Sequence, residues 1–222
     1  MKTSAAVVIL AFLVAFQAHA ASGGAPVITF SATTVQVSGV TPGGTVVIYG
    51  VAYGRSNFTN SVTHFRAALT DDDHDGVVTY DAKRRIPPAG VWIAVDTRNG
   101  QFVIGAPGHD AVRGARRSAT PFHKNAAGVV DTFMHDYPSV EMLYIHPGGG
   151  VWVVNTVDGG PLDRDPRSGA TGVSLADAQS LMPPGDTRPA AFAPGGVLVA
   201  FDVSRFEVLT LHLTGADLAG AQ

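Results

Sequence analysis

The chain has 222 residues, with 15 basic against 18 acidic side chains and no cysteine. A net charge of −3 excludes the basic surface that nucleic acid or an anionic membrane asks for. The missing cysteine excludes disulfides and thiolate metal sites, so stability has to come from a core, a metal or assembly. At the start, Lys2, the apolar run from Ala5 to Phe16 and the small-x-small site Gln17-Ala18-His19-Ala20 read as a secretory signal over 1–20, cut after Ala20. That run is shorter than the roughly 20 residues a membrane span needs, and no second long apolar segment follows. The expectation is a soluble product without a membrane span, secreted or periplasmic, that retains 14 basic and 18 acidic residues.

Strand signals dominate the rest of the chain. Thr33 to Ser38, Thr45 to Tyr49, Val91 to Val95, Val151 to Val154 and Phe206 to Leu213 are rich in β-branched and aromatic residues, and Gly, Pro, Asn and Asp punctuate them. Several are apolar on both faces, which predicts packing between sheets. One helix is predicted over Ser174–Met182: Ser174 and Asp177 have the spacing of a capping box, and Pro183-Pro184-Gly185 stops it.

The chain also echoes itself. Val27-Ile-Thr-Phe30 returns as Val130-Asp-Thr-Phe133, Pro42-Gly-Gly before Val46-Val47-Ile48 as Pro147-Gly-Gly-Gly before Val151–Val154, and Pro88–Asp96 as Pro194–Asp202. Three echoes in one order at nearly one offset predict a duplicated β-unit. The division is then 21–107 for the first unit, 108–128 for a linker carrying Arg113, Arg116, Arg117 and Lys124, and 129–222 for the second. With about seven short strands each, the units have the rhythm of an immunoglobulin-like β-sandwich, so the fold class is all-β with two tandem related sandwiches. The signal, the Pro-Gly-Gly turns and the Asp-rich loop at 71–76 resemble the broad group of exported bacterial immunoglobulin-like domains. That resemblance implies an extracytoplasmic binding or structural role. The disulfide and partner tryptophan of antibody domains are absent, so it concerns architecture.

The loop is Ala68-Leu-Thr-Asp71-Asp72-Asp73-His74-Asp75-Gly76-Val77. Calcium takes six to eight oxygens, and D-x-D-x-D-G supplies carboxylates at alternate positions with a glycine for the sharp turn. Asp71, Asp73, Asp75 and Gly76 fit, and Val77 would offer its carbonyl at the seventh position, as in the first half of an EF-hand loop. At the twelfth position Ala82 replaces the bidentate acid, and Asp81 lies one residue early. The predicted Ca2+ ligands are Asp71, Asp73, Asp75, Val77 and Asp81. The competing reading is a hairpin with an Asp75-Gly76 turn, its charge balanced by Lys83, Arg84 and Arg85. Asp163-Arg164-Asp165, with Gly169 and Gly172, is a thinner version that reads as a plain loop.

Other chemistry is sparse. No G-x-S-x-G, H-E-x-x-H, S-x-x-K or Walker loop occurs. His109, His123, His135, Asp136 and His146 gather around the linker and could build a zinc site if they converge. Trp92 and Trp152 sit inside apolar strands and read as core rather than sugar platforms. Asn57-Phe58-Thr59 is a glycosylation sequon. Two functional classes are compatible with these residues: a non-catalytic exported module that binds an extracellular protein or glycan through loops and edges, and a secreted metal-dependent hydrolase using the His/Asp cluster.

Overall fold

The computed structural model describes residues 25–55, 60–88, 90–107, 115–117, 130–131, 140–155, 163–164, 171–173, 175, 178–182, 192–202, 207–215 and 218. The signal segment, the sequon, His109, His123, His135, Asp136, Arg113 and Lys124 lie outside them. Sixteen strands occur among the described residues: β1 (Val27–Phe30), β2 (Thr34–Ser38), β3 (Thr45–Arg55), β4 (Asn60–Thr70), β5 (Val77–Asp81), β6 (Gly90–Asp96), β7 (Phe102–Gly105), β8 (Ala115–Arg117), β9 (Val130–Asp131), β10 (Val140–Ile145), β11 (Val151–Asn155), β12 (Asp163–Arg164), β13 (Thr171–Val173), β14 (Gln179–Ser180), β15 (Val197–Asp202) and β16 (Glu207–His212). The protein is all-β. Its sheets run β1-β2-β5, β4-β3-β6-β7, β14-β11-β10-β15-β16-β8 and β12-β13-β9, antiparallel except where β8 lies parallel to β16. No helix among the described residues is long and apolar enough to cross a membrane.

Alternation along the strands builds the layers. In β3, Val46, Ile48 and Ala52 point to one side and join Val35, Val37, Val78, Phe65 and Trp92 in a core shared with the β1-β2-β5 sheet. Val47, Tyr49 and Val51 point to the other side and meet Leu143, Ile145, Val151, Val153, Val197 and Val199 of the six-stranded sheet. Every residue of β6 is therefore buried, which explains its unbroken apolar run. Trp92 is fully buried, its ring tilted 35° against the Phe65 ring with centroids 4.7 Å apart, and lies over Gly50, where a Cβ would come within 2.3 Å of its ring. Trp152, 4 % exposed, belongs to a third core on the outer face of the six-stranded sheet with Tyr144, Leu175, Phe192 and Leu213.

Among the described residues of 174–182 no helix forms. Ala178 donates to the Leu175 carbonyl at 3.3 Å, both side chains are buried, and Gln179 and Ser180 pair with Val153 and Trp152 as β14. A segment this short is marginal as a helix on its own, and pairing with the sheet edge while burying two apolar side chains prevails. Part of the expected linker, Ala115–Arg117, is likewise strand.

The echoes do not fall on equivalent strands. Pro42-Gly43-Gly44 leads into β3, which pairs with β6, whereas Pro147–Gly150 leads into β11, which β10 separates from β15. Val47, Tyr49 and Val51 share a core with Leu143, Val151 and Val199 of the second half, and each half also has a core of its own. Trypsin cleavage within 108–128 should therefore yield two fragments on a denaturing gel that still co-elute at the volume of the intact chain. Fragments eluting apart would show that the shared core does not hold the halves together.

Candidate functional site

Two buried aspartates grip the turn that opens β3. Thr41-Pro42-Gly43-Gly44 closes with Gly44 N donating to Thr41 O at 2.8 Å, and Gly43 adopts φ +67°, a conformation glycine takes without penalty. Asp96, at the end of β6, accepts from Thr41 N (2.7 Å), Thr41 Oγ1 (2.6 Å) and Asn99 Nδ2 (3.1 Å) on Oδ2, and from Arg98 N (2.9 Å) on Oδ1. Both its oxygens are satisfied.

Asp71, only 1 % exposed, is not treated the same way. Its Oδ2 accepts from Gly43 N (3.1 Å) and Gly76 N (3.0 Å), while its own amide donates to Gly44 O (3.0 Å) and extends the β3–β4 ladder. Its Oδ1 is buried and has no hydrogen-bond partner, an arrangement that ordinarily costs about 1–3 kcal/mol or more for a charged group. The loop past it turns through His74 at φ +62° and Gly76 at φ +77°, with the His74 ring packed over Gly43. This path brings one carboxylate oxygen each of Asp71, Asp73 and Asp75 within 4.8 Å of one another. Burial pushes the Asp71 carboxyl up, but the Gly43 and Gly76 amides, the Asp73 side chain and the Asp75 amide outweigh it and hold it below the usual carboxylate range.

Of the five predicted ligands, three converge. Val77 opens β5 and its amide donates to Asp75 Oδ1 at 2.8 Å, an Asx turn that fixes the loop's exit. Asp81 does not belong to the group. It sits at the far end of β5, about 13 Å along the strand, and pairs with Lys83 through Nζ (2.6 Å) and the backbone amide (2.8 Å). Counting residues placed it in a coordination shell, but the extended strand carries it away. Arg84, also expected to balance the loop's charge, instead stands 4.5 Å over the Phe65 ring. Of the histidine cluster, His146 alone is described: its Nδ1 accepts from Gly148 N at 2.9 Å, so it shapes the turn before β11.

Sequence reasoning missed a second polar group. Glu141 is completely buried between the halves, where Tyr49 Oη donates to it at 2.7 Å and His64 Nε2 lies 2.8 Å away. Burial first, then the Glu141 carboxylate, push the Tyr49 phenol far up, so it remains a neutral donor. Beside it, Arg66 stands over the Tyr49 ring at 5.6 Å and donates to Gln179 Oε1. A lone acid in Val140–Ile145, in phase with the inward Leu143 and Ile145, was the available signal.

No protein-family model matches the chain, and no curated protein matches it in sequence.

Proposed function

We propose that the chain is an exported, non-catalytic binding or structural module of immunoglobulin-like sandwich type, whose 71–76 loop is fixed by a calcium ion. The observation that carries the metal is Asp71 Oδ1: a buried, unpartnered carboxylate oxygen in a residue grouped with Asp73 and Asp75. Three carboxylates this close repel one another, and a divalent cation relieves both the repulsion and the orphaned oxygen. The donors are all hard oxygens, which suits calcium and leaves its remaining positions to water. The export signal at 1–20 and the layered all-β architecture support the extracytoplasmic and sandwich parts of the reading.

The module binds through edges and loops, with extracellular protein or glycan as the partner class. Calcium would rigidify the Thr41–Gly44 turn and the loop docked on it, because Asp71 ties the two together. Titration with calcium should raise the melting temperature, by the equivalent of about 2.7 kcal/mol once the ion is at about 100 times its dissociation constant. Asp73→Asn should blunt that rise, since it removes one of the three carboxylates that converge there. A melting curve indifferent to millimolar calcium would remove the metal from this reading.

A further inference from the structure

The 71–76 loop offers a calcium ion fewer oxygens than the ion takes. Asp71 Oδ2 is committed to the amides of Gly43 and Gly76, and Asp75 Oδ1 to the amide of Val77. What remains of the three convergent carboxylates is Asp71 Oδ1, Asp75 Oδ2 and the two oxygens of Asp73. Even with the Val77 carbonyl added the loop falls short, because calcium takes six to eight oxygens. Asp81, the one further acid that the spacing put forward, is held by Lys83. The remaining positions of the ion face outward, since Asp71 is buried on the protein side while Asp72, Asp73 and Asp75 are exposed.

The surroundings of those positions select their donor. Asp71, Asp72, Asp73 and Asp75 outweigh the double charge of one calcium ion, and Arg98, whose Nη2 donates to Gly43 O at 2.8 Å, restores only part of the balance. A carboxylate brought to the ion therefore meets residual negative charge, and like charges set together are unfavourable. It also meets the exposed oxygens of Asp72 and Asp73, which only accept hydrogen bonds when ionised, and it has no hydrogen to give them. A hydroxyl group is neutral, ligates through its oxygen and donates its hydrogen to such an acceptor. Two hydroxyls on adjacent carbon atoms fill two positions of one ion while a single molecule is immobilised. On the other rim Arg98 is exposed, and its fork carries further N–H donors beyond the one given to Gly43.

We infer that calcium seated on Asp71, Asp73 and Asp75 captures a neutral glycan through a vicinal pair of sugar hydroxyls. The two hydroxyl oxygens complete the coordination at about 2.3–2.6 Å. Their hydrogens go to the exposed oxygens of Asp72 and Asp73, and Arg98 donates to further oxygens of the sugar. This rests on the calcium reading of the loop, and of the two partner classes of the module it selects glycan over protein. Sugar and ion share one coordination shell, so each raises the affinity of the other by the same factor.

The test uses the whole chain in millimolar calcium and beads carrying mannan, galactan or dextran, three neutral polysaccharides. At least one should retain the chain, a chelator should release it, and the same beads should no longer hold it after periodate has cleaved their vicinal diols. Beads carrying glutamate should retain less. The reciprocal measurement is a calcium titration followed by melting temperature. The retaining polysaccharide should move its midpoint to at least about fivefold lower calcium, and the periodate-treated polymer should leave it in place. No retention on any of the three polysaccharides, retention that survives periodate or chelator, stronger retention on glutamate, or an unmoved midpoint would each overturn the capture of a glycan. Any of these together with a calcium-dependent rise in melting temperature would leave the calcium loop standing. A melting curve indifferent to calcium would remove the ion and the glycan with it.

Discussion

Gly149→Ala should destabilise the protein by about 3 kcal/mol or more, the largest loss expected from any single methyl group in the described chain. A Cβ at Gly149 would lie 1.5 Å from the Thr97 carbonyl oxygen and 2.6 Å from its carbon. Thr97 cannot retreat easily, because its amide and its Oγ1 both donate to Thr45 O, at 3.0 and 2.8 Å. Relief therefore requires lifting the Pro147–Gly150 turn of one half off the end of β6 in the other. Part of the loss would arise anywhere, since Gly149 has φ +91°. Gly100 separates the two causes: it has φ +69°, and a Cβ there would meet nothing within 4 Å, so Gly100→Ala should cost only the left-handed penalty of about 1–2 kcal/mol. Denaturant midpoints for the two variants decide the matter, and equal losses would mean that the turn is not seated against Thr97.

The strands that were plain in the sequence are those whose burial is settled locally. Val91 to Val95 reads as a two-faced apolar run and forms β6, with a packed layer on each side. What could not be read is which layer each face meets. The partners of Val47 and Tyr49 lie about a hundred residues on, at Leu143 and Val199, and nothing in a strand's own pattern names a distant sheet. The segment 174–182 failed for a related reason. Its capping pattern is a local preference, but the exposed edge of β11 offered Gln179 and Ser180 a ladder, and the core took Leu175 and Ala178. Pro-Gly-Gly misled in its own way. The same tripeptide makes turns at the start of β3, β11 and β15 because glycine tolerates positive φ in each, whatever the strands around them pair with.

The acidic loop was legible because its geometry is made within six residues. Asp71, Asp73 and Asp75 are brought together by the turn that His74 and Gly76 allow. Asp81 was misplaced because a linear count assumes that the chain keeps curling, whereas Val77 enters a strand. Glu141 lay beyond reach for the opposite reason: His64 and Tyr49 stand 77 and 92 residues away from it in sequence. The same distance hid a groove that Arg66, Ala67 and Ala68 form with Gln179–Met182, part of the segment misread as helix.

Asp71→Ala should cost about 2–5 kcal/mol even without calcium, because it strands the buried amide of Gly76 and the half-buried amide of Gly43, each worth up to about 1–3 kcal/mol when left without an acceptor. Asp71→Asn retains an acceptor oxygen and should lose less, yet it should abolish the calcium response by removing the buried charge. The pH dependence has a definite sign. The folded-state pKa of Asp71 lies below its ordinary value of 3.8, so the unfolded chain takes up this proton first as the solution is acidified. The stabilisation by ionised Asp71 is then fully present above that value and is lost as pH falls through the lower, folded-state pKa. The stability difference between the native chain and Asp71→Asn should accordingly be flat between about pH 5 and 7 and shrink below about pH 4. Urea midpoints measured across that range in chelator test the argument directly. A difference that grew on acidification would mean that the carboxyl is protonated in the folded state, its burial outweighing the amides that face it, and the case for a cation beside Oδ1 would fall with it.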